Sequence, residues 1–325
     1  MDTTMTRTPR IAPLALTVGL ALGALAGPAA AEEGGTGHYL PGSMSSFVDG
    51  VAPAEAFLLR LNLVRYDGKV DKNQPLPIAG LTAIGAEAKS TALGLTAFWR
   101  PPVEIGPGWS YGISATLPYV WLDVSAKVAA QGITAQRSSS VSGLGDMVLI
   151  PLMLNQTVDP DFNINYRLAA YAPTGSYEVG RLANTGKNFW TVEPTVGFMY
   201  FGQKNGREAS VFFGADFNTT NKATDYKTGT QIHLDSTFAQ HFPAAGGLVG
   251  LGLNLFYYEQ ITGDSGSGAT LGDFKGRTVG IGPVASYVTK LGGHDTMAEF
   301  KWLHENSTSN RLQGDIVWLK VLYKF

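Results

Sequence analysis

The stretch IHLDSTFAQHF brings His233, Asp235 and Ser236 within four residues of one another. These are the residue types of a serine hydrolase, which needs a histidine in reach of the nucleophile and a third group to orient it. On a strand, His233 and Asp235 share a face and Ser236 points to the other, so the set fails as a triad. There is no G-x-S-x-G. The other histidines, His38, His241, His294 and His304, are dispersed, cysteine is absent, and no H-E-x-x-H occurs. The expectation is therefore no catalytic set, no metal site and no cofactor. DSGSGATLGD is glycine-rich but lacks the lysine of a phosphate-binding loop, and reads as a flexible outer loop.

The elements that carry these residues alternate with a period of two. FLLRLNLVRY sets Phe57, Leu59, Leu61 and Leu63 against Arg60 and Asn62. FNINYRLAAY sets Phe162, Ile164, Tyr166 and Leu168 against Asn163, Asn165 and Arg167. VFFGADFN sets Phe213 and Phe217 against Asp216 and Asn218, and LGLNLFY sets Leu251, Leu253, Leu255 and Tyr257 against Asn254. Successive side chains of a strand point to opposite faces, so this pattern predicts strands with one apolar and one polar face. About twelve such segments can be placed, each near the length that crosses a bilayer when tilted. They begin near Ala54, Ala88, Trp109, Gly143, Phe162, Phe189, Glu208, Gly229, Gly246, Arg277, Thr296 and Leu312. Three of them carry a proline (Pro151, Pro194, Pro283), which removes a ladder donor.

The connections alternate long and short. DGKVDKNQPLPIAGLTAIGAE, DVSAKVAAQGITAQRSSSVS, PTGSYEVGRLANTGKN and TGDSGSGATLGDFKG are long; TVDPD, GQKNG, PAAG and KLGGHD are short. That parity is the habit of a transmembrane antiparallel up-and-down β-barrel, with tight turns on one side and loops on the other. The all-β reading extends to the last strand. Val317, Leu319, Val321, Tyr323 and Phe325 form an apolar face for lipid, with Lys320 and Lys324 on the other. A basic residue facing mid-bilayer costs about 2–4 kcal/mol, so the alternation is required there. Trp99, Trp109, Tyr119, Trp121, Trp190, Tyr200, Tyr257, Tyr258, Trp302 and Tyr323 fall near segment ends, as an interfacial girdle requires.

The same alternation predicts the lumen lining: Arg60, Asn62, Asn163, Asn165, Arg167, Glu193, Asp216, Asn218, His233, Asp235, Asn254, Glu299, Lys301 and Lys320. A barrel this wide holds a channel or a plug, and the mixed signs argue against a ring that selects one ion sign. Paired, these groups would stiffen the wall. Tyr39, Phe47, Phe212, Phe256 and Tyr258 could bind an apolar solute if they face inward.

Ahead of the strands, Arg7 and Arg10 precede the apolar run IAPLALTVGLALGALA and the small-residue end GPAAA. This is the pattern of a secretory signal peptide over residues 1–31. Its removal leaves 294 residues with 22 basic side chains (24 without Arg7 and Arg10) and 25 acidic ones (26 without Asp2). No basic excess is present to bind nucleic acid. Residues 32–53, with His38, Tyr39, Leu40 and Phe47, form either a periplasmic tail or a plug folded into the lumen. Residues 54–325 form the barrel.

GTGHYLPGS at 35–43, GLGDMVLIP at 143–151, APTGSY at 172–177, NTGKNFW at 184–190, NKATDYKTGTQIHLD at 221–235 and EQITGDSG at 259–266 together resemble a family of exported bacterial proteins associated with the meta-pathway of phenol degradation. The resemblance covers nearly all of the chain after the signal. It implies a channel in the Gram-negative outer membrane for small hydrophobic or aromatic compounds, akin to hydrocarbon-uptake channels, and transfers no catalytic mechanism. The class also implies a role for Tyr323 and the terminal Phe325 as the membrane-insertion signal read by the barrel-assembly machinery. The expected partners are outer-membrane lipid, that machinery and apolar solutes. Against a porin-like transporter stand two other readings: a structural or partner-binding surface barrel, and a lipid-modifying outer-membrane enzyme.

Overall fold

The computed structural model describes residues 33–51, 55–130 and 133–325. The signal peptide reading of 1–31, and the segment start near Ala54, lie outside the described residues. The strands are β1 (Ala56–Lys69), β2 (Pro75–Ile78), β3 (Leu81–Arg100), β4 (Trp109–Ala130), β5 (Ile133–Leu144), β6 (Met147–Asp159), β7 (Phe162–Ala172), β8 (Thr191–Phe201), β9 (Arg207–Asn218), β10 (Gln231–Ala244), β11 (Gly247–Gln260), β12 (Arg277–Leu291), β13 (His294–Ser309) and β14 (Gln313–Lys324). Among the described residues the one helix is a 3-10 turn, Phe47–Asp49. None is long and apolar enough to cross a membrane.

All strand pairs are antiparallel, and the first barrel strand meets the last. β1 pairs with β14 from Leu58↔Lys324 to Lys69↔Gln313. The Phe325 N–H adds a hydrogen bond to the Phe57 carbonyl at 3.0 Å. Of the fourteen strands in the sheet, β2 and β5 are appendages, pairing only with β3 and β4. The other twelve close into a barrel with no free edge, which is what lets a sheet sit in hydrocarbon without orphaned backbone groups.

β2 and β5 correct the reading of two connections as plain loops. β2 holds two prolines in four residues, which hides it from any strand pattern. β4 is 22 residues long. Its first part, from Trp109 to Thr116, pairs with β6; its second, from Tyr119 to Ala130, pairs with β5. The β4–β5 hairpin thus stands beyond the rim, where no lipid demands an apolar face, and β5 is correspondingly serine-rich and exposed. β3 likewise begins seven residues before the expected Ala88 and β6 four after Gly143.

The three prolines sit where the ladder is interrupted. Pro151 lies in the β6 shift between Leu149 and Leu152, Pro194 where pairing with β9 skips from Val192 to Thr195, and Pro283 where pairing with β13 skips from Ile281 to Val284. Pro151 sits at a bulge, whereas at Pro194 and Pro283 the register is kept and only the ladder pairs on that side are missing, a place where a residue with no N–H is tolerated. At the short-turn end, Gly292 and Gly293 both take positive φ (61° and 88°), the two-residue turn that matches the twist of a tight hairpin.

The outer face is apolar as the alternation requires: Leu61, Leu63, Leu95, Phe213, Leu251, Leu253, Phe300 and Leu319 are all exposed on it. Among the proposed girdle aromatics Trp99, Tyr119, Trp121, Trp190 and Trp302 are exposed. Tyr258 is the exception. It is fully buried and faces the lumen, because it follows Tyr257 directly and adjacent strand residues cannot share a face.

Candidate functional site: the lumen and the segment that crosses it

Residues 33–51 lie inside the barrel. At the long-loop end, Glu33 accepts hydrogen bonds from Tyr177 Oη (2.7 Å) and Asn221 Nδ2 (3.0 Å), and the Gly34 N–H reaches the Pro77 carbonyl of β2. At the short-turn end, Val51 packs near Ala56, Leu58, Phe98 and Met153. The segment therefore runs the length of the lumen, and the strands supply partners at each level.

Near the outer end, His38 Nε2 lies 3.0 Å from Asp146 Oδ2, in the break between β5 and β6. Burial opposes ionisation of Asp146. Hydrogen bonds from His38 and from the Gly175 and Lys187 backbone N–H groups outweigh it and hold the carboxyl below its ordinary range. Next, Tyr39 donates its hydroxyl to Asp235, and its ring stacks on His233 with centroids 3.7 Å apart. Gly42 follows with φ +85°; a Cβ there would meet Leu303 at 2.7 Å and Trp318 at 2.9 Å, so only glycine lets the segment lie this close to the wall. Its N–H bonds Asp235 (3.1 Å) and its carbonyl accepts from Lys301 Nζ (3.0 Å).

Asp49 forms the innermost lock. Its carboxylate accepts from Lys320 Nζ at 3.0 Å on both oxygens, from Arg60 at 2.9 Å, and from the Ser45 N–H at 2.9 Å. Glu299 pairs with Lys301 (2.9 Å) and Lys320 (3.3 Å) and accepts from the Ser46 hydroxyl. Glu208 accepts from the Phe47 N–H and lies 2.8 Å from His241 Nε2. Arg167 bonds Asn165 and the Asp49 carbonyl.

Of the fourteen residues read from the alternation as lumen-facing, eleven are buried and Arg60, Asn163 and Asn218 are half-buried. Glu193, Asp216, His233, Asp235, Asn254, Glu299, Lys301 and Lys320, on β8 to β14, are buried beneath the segment. Asn165 is buried beside Arg167, and Asn163 bonds Asn155 nearer the short turns. Asn218 bonds Thr191 and Gln231 near the outer ends of its strands. Arg60, Asn62 and Arg167 instead face a cavity of about 570 Å³ on the opposite side. That cavity lies between the segment and the walls of β1, β3, β4, β6 and β7, and Leu58, Val64, Phe98, Val120, Val148 and Ile150 make much of its lining. Its lining runs from Asp295 and Lys324 at the short-turn rim to Thr185 and Lys187 in the long loop after β7.

The five aromatics considered for solute binding divide. Phe47 lines the cavity, as do His38 and Leu40. Tyr39, Phe212, Phe256 and Tyr258 face inward but are packed out of reach of it: Phe212 lies against Met44 and Met199, and Phe256 in the apolar cluster around Leu303 and Ile316. The hydrolase-like trio is separated as the strand geometry demands, with Ser236 Oγ donating to the Leu255 carbonyl rather than meeting His233.

The sequence from 73 to 321 matches the family described as "Putative MetA-pathway of phenol degradation". The chain belongs to this family. A comparison with curated proteins finds no match. Among solved structures, the fold is similar to the COG4313 outer membrane channel from Pseudomonas putida F1, at 13% identity and a TM-score of 0.65, covering 88% of this chain and all of the other. The β domain of the Bordetella autotransporter BrkA is also similar, at 12% identity and a TM-score of 0.47, covering 83% of this chain and all of the other. The family member described here therefore has the outer-membrane channel fold, an all-β closed barrel of twelve antiparallel strands.

Proposed function

We propose that the protein is a passive outer-membrane channel for small hydrophobic or aromatic compounds, serving the degradation of aromatic compounds. In this reading residues 1–31 direct export and are removed, the barrel-assembly machinery reads Tyr323 and Phe325, and residues 32–53 act as a plug. The plug fills the polar half of the lumen and leaves the apolar half as the route. The carrying observation is the cavity beside the plug. Its volume of about 570 Å³ is in the range that holds a small-molecule ligand, about 300–1,000 Å³, and its walls are mainly aliphatic with Arg60, Asn62 and Arg167 as polar markers. On β1 its lining extends from Leu58 to Val64, roughly 20 Å of strand at about 3.3 Å per residue. Solutes would move down their gradient with no catalytic step, the separation of His233 and Ser236 arguing against the lipid-modifying alternative.

Ala92 lies on the cavity wall, paired in register with Val64 on one side and Val120 on the other. Ala92→Trp should cut uptake of a phenol-sized solute into reconstituted vesicles at least tenfold without lowering the thermal stability of the barrel. Unchanged uptake in that variant would remove the cavity from the route. Vesicles carrying native protein that stay impermeable to aromatics would sink the channel reading, and would favour a surface barrel that binds partners through the protruding β4–β5 hairpin.

A further inference from the structure

On the inner wall, Glu193 of β8, Asp216 of β9 and His233 of β10 bring one donor atom each to within 4.8 Å of one another. All three side chains are buried, His233 at 2% exposure. We propose that this trio binds a single divalent transition-metal ion, zinc by its chemistry, and that the ion clasps three adjacent strands behind the plug residue Tyr39.

Three observations carry the proposal. First, His233 Nε2 is 3.4 Å from Glu193 Oε1 and 3.9 Å from Asp216 Oδ1. A zinc ion about 2.1 Å from each donor in tetrahedral geometry sets donor separations of about 3.4 Å. Second, neither ring nitrogen of His233 makes a hydrogen bond, although the ring is buried and aimed at the two carboxylates. An imidazolium in the same place would aim its Nε2–H at Glu193 only from ion-pair distance and would leave the buried Nδ1–H unused, which is costly. Third, the space beside Nε2 is kept by Gly214, His233's register partner on β9: a Cβ there would fall against the imidazole and lie 3.0 Å from Thr195 Oγ1. One imidazole and two carboxylates are a borderline-hard donor set that suits zinc, with a fourth position for water. Glu193 is also oriented from behind by hydrogen bonds from Tyr171 (2.5 Å) and Thr195 (2.9 Å), the support that ligating carboxylates usually have.

The test uses the full barrel purified in detergent, stripped with a chelator, then equilibrated with Zn²⁺ and assayed for bound metal by atomic emission. Folding is followed in every sample by heat-modifiable electrophoretic mobility. The expected result is one zinc per chain, with X-ray absorption reporting nitrogen and oxygen donors only. His233→Ala should weaken binding at least a hundredfold. Gly214→Ala keeps all three donors but fills the space beside Nε2, and should weaken it about 10- to 100-fold. His304→Ala, at the exposed His304–Asp315 pair, should change nothing. Less than a tenth of a zinc per folded native chain, or equal binding by native protein and the folded Gly214→Ala variant, overturns the proposal. The trio would then be a histidine clasped by two acids.

Discussion

Asp49 is the group whose loss should free the plug. Its carboxylate meets the buried Lys320 on both oxygens, Arg60, and the Ser45 and Ser46 N–H groups. Asp49→Asn keeps the shape and removes the charge. Breaking one partner out of a buried ion pair costs about 3–5 kcal/mol. Lys320 keeps Glu299 at 3.3 Å, so the lower end applies. About 3 kcal/mol shifts the ratio of docked to undocked plug by roughly a hundredfold, at about 1.4 kcal/mol per decade. Water entering an unplugged lumen would rehydrate Lys320, so this is an upper bound. The assay is single-channel conductance in planar bilayers, where Asp49→Asn should show long open periods that the native protein shows rarely. Adding Lys320→Met removes the stranded charge, so the double variant should return towards native behaviour and give a non-additive cycle. If Asp49→Asn conducts as the native protein does while a chain lacking residues 33–51 conducts freely, the lock does not hold the plug. A strictly additive double variant would equally refute the pairing argument.

Two further outcomes test other parts of the structure. Leu253, half exposed on the lipid face midway along β11, should not tolerate charge: Leu253→Lys should cost about 2–4 kcal/mol in refolding into lipid vesicles, read from urea titration. Asp146 titrates below its ordinary range, so the stability it lends the outer end is fully present above the unfolded-state carboxyl value near 3.8 and is lost as pH falls through the lowered one. The protection factors of the Gly175 and Lys187 amides, corrected for the intrinsic rate at each pH, should therefore fall on strong acidification, and in Asp146→Asn they should already be low at neutral pH and change little with acid.

Much of this architecture was legible because a bilayer enforces the pattern. A strand between hydrocarbon and lumen must alternate, so Asn62, Asn165, Arg167, Lys301 and Lys320, all buried, could be assigned inward from spacing alone. The parity of loop lengths likewise gave away the two rims. Where the bilayer makes no demand, the signal vanished. The β4–β5 hairpin beyond the rim has no apolar face to betray it, and β2 is four residues with two prolines. Tyr258 was placed in the girdle by residue type when its neighbour Tyr257 already occupied the outward position. The Glu193–Asp216–His233 trio was invisible for a different reason. Its members are 17 to 40 residues apart in a chain without motif spacing, and only the pairing of β8, β9 and β10 joins them. The partners of His38 and Asp49, from Asp146 to Lys320, are long-range for the same reason.

The Asp49–Lys320 contact joins residues 271 positions apart, and the Lys301 contacts with Gly42 and Ser45 span 259 and 256. Contacts of such high sequence separation are among the last a chain can make. The bolt of the lumen joins Gly42 and Asp49 to Lys301 of β13 and Lys320 of β14, so it cannot be drawn until those two strands are in place. A half-built cylinder offers Asp49 only Arg60 of β1 and not Lys320, and seating of the amino-terminal stretch thereby becomes a built-in readout of completed assembly.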